Sequence, residues 1–273
     1  MVDQLSRIKD IVEGVHSHRS HCIAVTSGKG GVGKSNIALN LALALVKHQK
    51  KVVLVDADSN LANLDVLLGV NPNVNLLSIV LDDLRVEEVI YHHTSGLDFI
   101  PNSSGNRNWQ ALSDAIKPKI FEVILFLKRH YDFVILDTAA GLAPMSIDLT
   151  MRADEIFMTT TPEPTAISDT YAMIKVLDSH KKNLPIKLVL NMVYDASEVA
   201  DVYQRLSLVL QHFLGIRIEL AGFISYDERV RRAIHLQKPF ILSFPETAAS
   251  EEILQLAGSV LSSRMVVSDF HAN

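Results

Sequence analysis

The stretch Ser27-Gly28-Lys29-Gly30-Gly31-Val32-Gly33-Lys34-Ser35 gathers glycines, lysines and hydroxyls into one short segment. Such a segment suits one chemistry. Glycines let the chain curl until successive backbone N–H groups face a common centre, and a polyphosphate fits there. Gly28, Gly33, Lys34 and Ser35 keep the spacing of a phosphate loop. Lys34 is expected to reach the outer phosphates and Ser35 to ligate a magnesium ion bridging them. Backbone from Gly28 through Gly30, Gly31, Val32 and Gly33 to Asn36 would line the site. Lys29, beside the glycines, need not touch the nucleotide of its own chain.

Four further polar positions end apolar runs or follow them. Asp56 and Asp58 follow Lys51-Val52-Val53-Leu54-Val55; Asp137 follows Tyr131-Asp132-Phe133-Val134-Ile135-Leu136; Asn191 follows residues 186–190. An aspartate at the end of a buried strand, downstream of a phosphate loop, is the Walker B arrangement that holds magnesium directly or through water. Asp137 takes that role, Asp56 is the outer-shell magnesium partner, and Asp58 positions the attacking water. Gly141 is expected to present its amide to the γ-phosphate, with residues 142–152 as a segment that differs between triphosphate and diphosphate states. The Asn191 amide carries a donor and an acceptor suited to the adenine edge. The expected catalytic set is thus Lys29, Lys34 and Asp58, and the metal set Ser35, Asp56 and Asp137.

Positioning these groups requires strands that end together. The apolar run Cys22-Ile23-Ala24-Val25-Thr26 precedes the loop and a helix, residues 36–47, follows it, adding the partial positive charge of its N-terminus. Strand and helix patterns alternate from residue 22 to 261 without a linker. The expected fold is a single doubly wound, mostly parallel α/β sheet with helices on both faces, binding its ligand at the carboxyl edge of the strands. Residues 76–91 read as a helical excursion, and residues 109–129 as a long helix kinked near Pro118. The last helix spans residues 250–261; it carries Glu251 and Glu252 and no lysine, which suits docking on the core better than a membrane surface. Residues 262–273 read as a flexible tail.

Before the first strand, residues 1–21 form a separate module. Leu5, Ile8, Val12 and Val15 fall at helical spacing among charged residues. A helix this short is marginal alone, so it either packs on the domain or binds a partner. His16, His18 and His21 have metal-binding chemistry, but no carboxylate or cysteine cluster accompanies them and they read as linker.

Composition narrows the class. In 273 residues, 48% are hydrophobic and 21% charged, and the net charge is −5, which gives no basic excess for non-specific DNA binding. The one cysteine, Cys22, excludes an intramolecular disulfide framework and a bridging iron–sulfur cluster. Neither a signal peptide nor an apolar run of bilayer length is present, so a cytoplasmic protein is expected.

Lys29 also resembles the signature lysine of the deviant Walker A ATPases. The segments Asp56-Ala57-Asp58, Ala62-Asn63-Leu64-Asp65, Thr161-Pro162-Glu163-Pro164-Thr165-Ala166-Ile167, Tyr171-Ala172-Met173-Ile174-Lys175, Asn191-Met192-Val193 and Tyr226-Asp227-Glu228-Arg229-Val230 look like the MinD-like ATPases of the SIMIBI class. Within that class they are most similar to the flagellum-number regulators of the FlhG/FleN family. The resemblance implies ATP and Mg2+ as cofactors, an ATP-dependent face-to-face homodimer in which Lys29 crosses to the partner's phosphates, slow dimer-dependent hydrolysis, and control of flagellar number or placement. It further implies an FlhF-type GTPase partner engaged through Asp3 and Gln4, flagellar switch proteins or a flagellar transcription regulator as other partners, and a peripheral location at the membrane or cell pole. The chain departs from the family at Ser59-Asn60, where Leu-Gly is usual, at Ser225, where proline is usual, and in lacking an evident basic amphipathic helix at its C-terminal end. Two other readings stay open: a nucleotide-gated scaffold that inhibits a regulator or GTPase with negligible hydrolysis, and a division-site or partition-type positioning ATPase. The second would want a basic DNA-binding face, against which the net charge argues.

Overall fold

Apolar runs bounded by turn residues become strands covered on both faces. In the computed structural model, which describes residues 20–58, 63–102 and 113–269, these are β1 (His21–Thr26), β2 (Val52–Ala57), β3 (Tyr91–His92), β4 (Asp98–Ile100), β5 (Phe133–Thr138), β6 (Glu155–Thr160), β7 (Ile186–Val193) and β8 (Glu219–Ser225). They join in the order β3-β4-β2-β5-β1-β6-β7-β8, all parallel except the β3–β4 pair. The N-terminal segment with Asp3, Gln4, His16 and His18, and the Ser59-Asn60 departure, lie outside the described residues.

The helices are α1 (Lys34–Lys47), α2 (Leu64–Leu68), α3 (Ser78–Leu81), α4 (Val86–Val89), α5 (Ser113–His130), α6 (Pro144–Thr150), α7 (Pro164–His180), α8 (Ala196–Leu214), α9 (Glu228–His235), α10 (Phe240–Ser243) and α11 (Ala248–Asp269). Side chains alternate across each strand, so β1 sends Cys22 and Ala24 into one core and Ile23 and Val25 into the other. The first core packs under α5, α7 and α8, the second under α1 and α11. Cys22 is fully buried, and desolvation pushes its thiol up to about 12, so it acts as a small apolar residue.

Several elements depart from the sequence pattern. Residues 76–91 do not make one helix: Asp83 adopts a positive φ of 55° and separates α3 from α4, after which Tyr91–His92 adds the antiparallel edge strand. α5 runs through Pro118 to His130. The final helix continues to Asp269 instead of ending at Leu261, because residues 262–269 contain no glycine or proline to stop it. Among the described residues, no helix is long and apolar enough to cross a membrane.

The topology fixes where a ligand can enter. β1 lies between β5 and β6; the chain passes from β1 to β2 on one side and later from β5 to β6 on the other, so the winding reverses at β1 and opens a crevice beyond its carboxyl end. Register brings the strand-end residues together there, with Val25 beside Asp137 and Asp137 beside Asp56.

Candidate nucleotide site

The loop after β1 is shaped by close backbone approach. Gly31 and Gly33 have φ of 83° and 86°, values that a side chain disfavours, and Gly33 is the N-cap of α1. A Cβ on Gly28 would lie 2.2 Å from the Asp169 carbonyl oxygen of α7, and one on Gly33 would lie 2.1 Å from Asn191 Nδ2. Asn191 is buried and donates from Nδ2 to the Val32 carbonyl at 2.8 Å, so it braces the loop from the end of β7. Gly141 has a φ of 80°, and its N–H donates to the Ser27 carbonyl at 2.9 Å. Its amide is turned onto the loop, which ties the segment after β5 to the segment after β1. Gly30 faces open space.

Inside the loop lies a buried charge cluster. Lys34 Nζ donates to Asp137 Oδ1 at 2.6 Å and to Ser35 Oγ at 3.3 Å, and it stands 4.0 Å from Asp58 Oδ2. The Asp56 carboxylate accepts the N–H groups of Asp58 at 3.1 Å and Leu64 at 3.4 Å. Burial first, and the Asp137 charge second, push the Asp56 carboxyl well above the usual range. Asp137 is also raised by burial, with Lys34 pulling the other way. Lys34 thus meets Asp137 and Asp58, with Asp56 next to Asp137. Asn102, after β4, adds a support that strand-end reading missed: its Nδ2 donates to the Asp58 carbonyl at 3.1 Å.

The donor set fits magnesium. Asp137 Oδ2 is buried with no hydrogen-bond partner and Asp56 lies beside it in the register, so a divalent cation would satisfy the orphaned oxygen and relieve the repulsion between the two acids. Ser35, Asp56 and Asp137 would hold the ion directly or through water; among the described residues no cluster of three His, Cys, Asp or Glu side chains forms a complete cage. Magnesium suits this, because it keeps waters and phosphate oxygens as ligands beside one or two carboxylates. When bound, it neutralises charge on the β- and γ-phosphates.

Lys29 lies apart from that cluster. Its Nζ donates to Glu163 Oε2 at 3.2 Å and Thr165 Oγ at 3.0 Å, at the start of α7, and its side chain is 39% exposed. The two lysines of the loop therefore face different surroundings, Lys34 the buried acids and Lys29 the open rim. Beside α1, a mostly apolar cleft lined by Asn36, Ile37, Asn191, Met192, Tyr226 and Val230 continues from the loop and has the character of a base pocket. At its mouth Tyr194 stacks on Tyr226, with ring centroids 4.6 Å apart. Of the expected residues, Asp58 and Asp137 reach Lys34 from the β2 and β5 side of β1, with Asp56 beside Asp137, whereas Asn191 reaches the loop from the β7 side.

Comparison with known proteins identifies the family. A family model described as an AAA domain matches residues 20–190. The chain is 34% identical over 233 residues to the antiactivator FleN of Pseudomonas aeruginosa, spanning 85% of this chain and 83% of that protein. It is 35% identical over 241 residues to the flagellum site-determining protein YlxH of Helicobacter pylori, spanning 88% and 81%. Among solved structures, the septum site-determining protein MinD complexed with Mg-ADP from Pyrococcus horikoshii shares the fold at a TM-score of 0.73 and 28% identity, covering 88% of this chain and 96% of that one. The chain therefore belongs to the MinD/ParA-type P-loop ATPases, alongside FleN and YlxH, and is an ATPase that uses ATP and Mg2+.

Proposed function

We propose that this ATPase is a dimerisation switch that sets flagellar number or placement through partner proteins. The observation that carries the proposal is the division of labour between the loop lysines: Lys34 is buried among the acids, while Lys29 is exposed on the rim where a second copy can be met. In this reading ATP occupies the loop from Gly28 to Ser35 within a domain spanning residues 22–261, and Asn36, Gly141 and Asn191 complete the pocket. Two chains meet face to face, Lys29 of each neutralises phosphate charge in the other, and Asp58 orients the attacking water. Slow hydrolysis then separates the pair.

Partners read the paired state. The relationship to a protein named antiactivator favours inhibition of a flagellar transcription regulator as one output, and that to a flagellum site-determining protein favours placement as another. An FlhF-type GTPase engaged through Asp3 and Gln4, flagellar switch proteins, and peripheral attachment at the membrane or pole belong to the same proposal. Light scattering after size exclusion tests it, comparing Mg-ATP with Mg-ADP on the parent, Asp58→Ala and Lys29→Ala. A dimer seen only with ATP, trapped by Asp58→Ala and lost in Lys29→Ala, supports the switch; a mass indifferent to nucleotide in all three rejects it. Counting flagella in cells that carry the same variants tests the output.

A further inference from the structure

β8 is the edge strand of the sheet, so its outward N–H groups have no ladder partner. At its last residue that gap is closed from a distant helix. Ser225 N donates to Glu252 Oε2 at 2.7 Å, and Ser225 Oγ donates to Glu252 Oε1 at 2.6 Å. One carboxylate on α11 thereby grips both donors of a single residue, and bonds to an ionised acceptor are the stronger kind.

The grip matters because the sheet itself loosens at this point. The β7–β8 register shifts between Asn191 and Val193, where Met192 has a positive φ of 56°. Beyond the irregularity, one backbone bond, Tyr226 N to the Val193 carbonyl at 2.8 Å, joins the next residue to β7. Tyr226 and Asp227 follow directly, and both line the apolar cleft beside α1. Where a proline would have no N–H to offer, Ser225 supplies two donors.

We infer that Glu252 is a positioning residue for base recognition: by holding Ser225 it fixes the segment 225–227 as a wall of the cleft and so sets the preference for the base of ATP. This rests on the reading of that cleft as the base pocket of the proposed ATP site. Glu252 is in α11 and is not among the residues that meet the phosphates, so its effect is confined to the base end of the nucleotide.

The test uses the full chain and measures the affinity of ATP, GTP and inorganic tripolyphosphate, each with Mg2+, together with the melting temperature. Glu252→Ala is expected to weaken ATP about tenfold and to narrow the ATP-to-GTP ratio, while tripolyphosphate stays within about twofold of the parent. Glu252→Gln is expected to restore the parental values, because its amide oxygen accepts the Ser225 N–H and its NH2 group donates to Ser225 Oγ. Parental ATP affinity and base preference in Glu252→Ala overturn the inference. So does an equal loss of ATP and tripolyphosphate, which marks a merely structural role. Val230→Phe, which fills the cleft, separates the two readings. If it leaves ATP binding unchanged, the base lies elsewhere and the placement fails; if it blocks ATP while Glu252→Ala behaves as parent, the role of Glu252 alone fails.

Discussion

Lys29 is held within its own chain by Glu163, whose Oε2 lies 3.2 Å from the lysine Nζ, with the Thr165 hydroxyl 3.0 Å away. The pair is at the surface, with side-chain exposures of 39% and 66%, so breaking it costs no more than about 1 kcal/mol. A contact that weak can be exchanged for phosphate across an interface. Lys29→Ala is therefore expected to leave the melting temperature and monomer ATP affinity near the parent, while ATP hydrolysis falls by at least about tenfold. Calorimetry and a phosphate-release assay check this, and a matching loss of monomer ATP affinity would place Lys29 at the nucleotide of its own chain.

Lys34 behaves differently because it is buried against Asp137 at 2.6 Å. Removing it leaves a buried carboxylate without its cation, a change that costs about 3 kcal/mol at neutral pH. Asp137 already sits above its ordinary value through burial, and losing Lys34 raises it further. A raised carboxyl contributes stability that is present at low pH and lost as pH rises through the folded value. Lys34→Ala should thus be destabilised most near pH 8 and least near pH 5, and should not bind ATP at either. A deficit constant across that range would argue against the ion pair as its cause.

What the sequence disclosed about the site follows from contacts near in sequence or repeated in type. Lys34 and Ser35 are legible from the spacing of the glycine loop, and Asp56 and Asp137 because each follows a run whose burial is written in its residues, and parallel strands must end at one edge. The Glu163 partner of Lys29 and the Glu252 partner of Ser225 are not, since those pairs arise only once distant helices pack. Asn102 escaped for the same reason: it supports Asp58 from another strand end. Secondary structure was clearest where an apolar run was bounded by polar residues, as in β6, or where helical periodicity was long, as in α8. It was coarse where a single backbone choice decides, as at Asp83, whose positive φ separates two short helices within the expected helical excursion.

Gly28 tests the packing of the loop against α7. An alanine Cβ would stand 2.2 Å from the Asp169 carbonyl oxygen and 2.3 Å from its carbon, both backbone atoms of a helix that cannot turn aside. Gly28→Ala is expected to shift the loop, cost about 1–3 kcal/mol and weaken ATP at least about tenfold. Gly30→Ala is the control, since nothing lies within 4 Å of its added methyl, and its stability should change by less than about 0.5 kcal/mol. Equal melting temperatures for the two variants would contradict the contact.

Asp56 carries the cost of holding a charge in reserve. It is buried beside Asp137, and desolvation together with that neighbouring charge raises its carboxyl well above the ordinary 3.8. Stability from such a group is fully present below its unfolded value and declines as pH climbs toward the folded one. Asparagine has the same shape and no charge, and its Oδ1 can still accept the Asp58 N–H. Without nucleotide, Asp56→Asn should match the parent near pH 4 and become more stable as pH rises, by about 1–2 kcal/mol at pH 8. With Mg-ATP present the order should reverse, because the variant lacks a carboxylate of the proposed magnesium site and gains less from ligand binding. Melting curves from pH 4 to pH 8, with and without Mg-ATP, decide it: a variant less stable than the parent at pH 8 without nucleotide would show that the two backbone bonds to Asp56 outweigh the repulsion from Asp137.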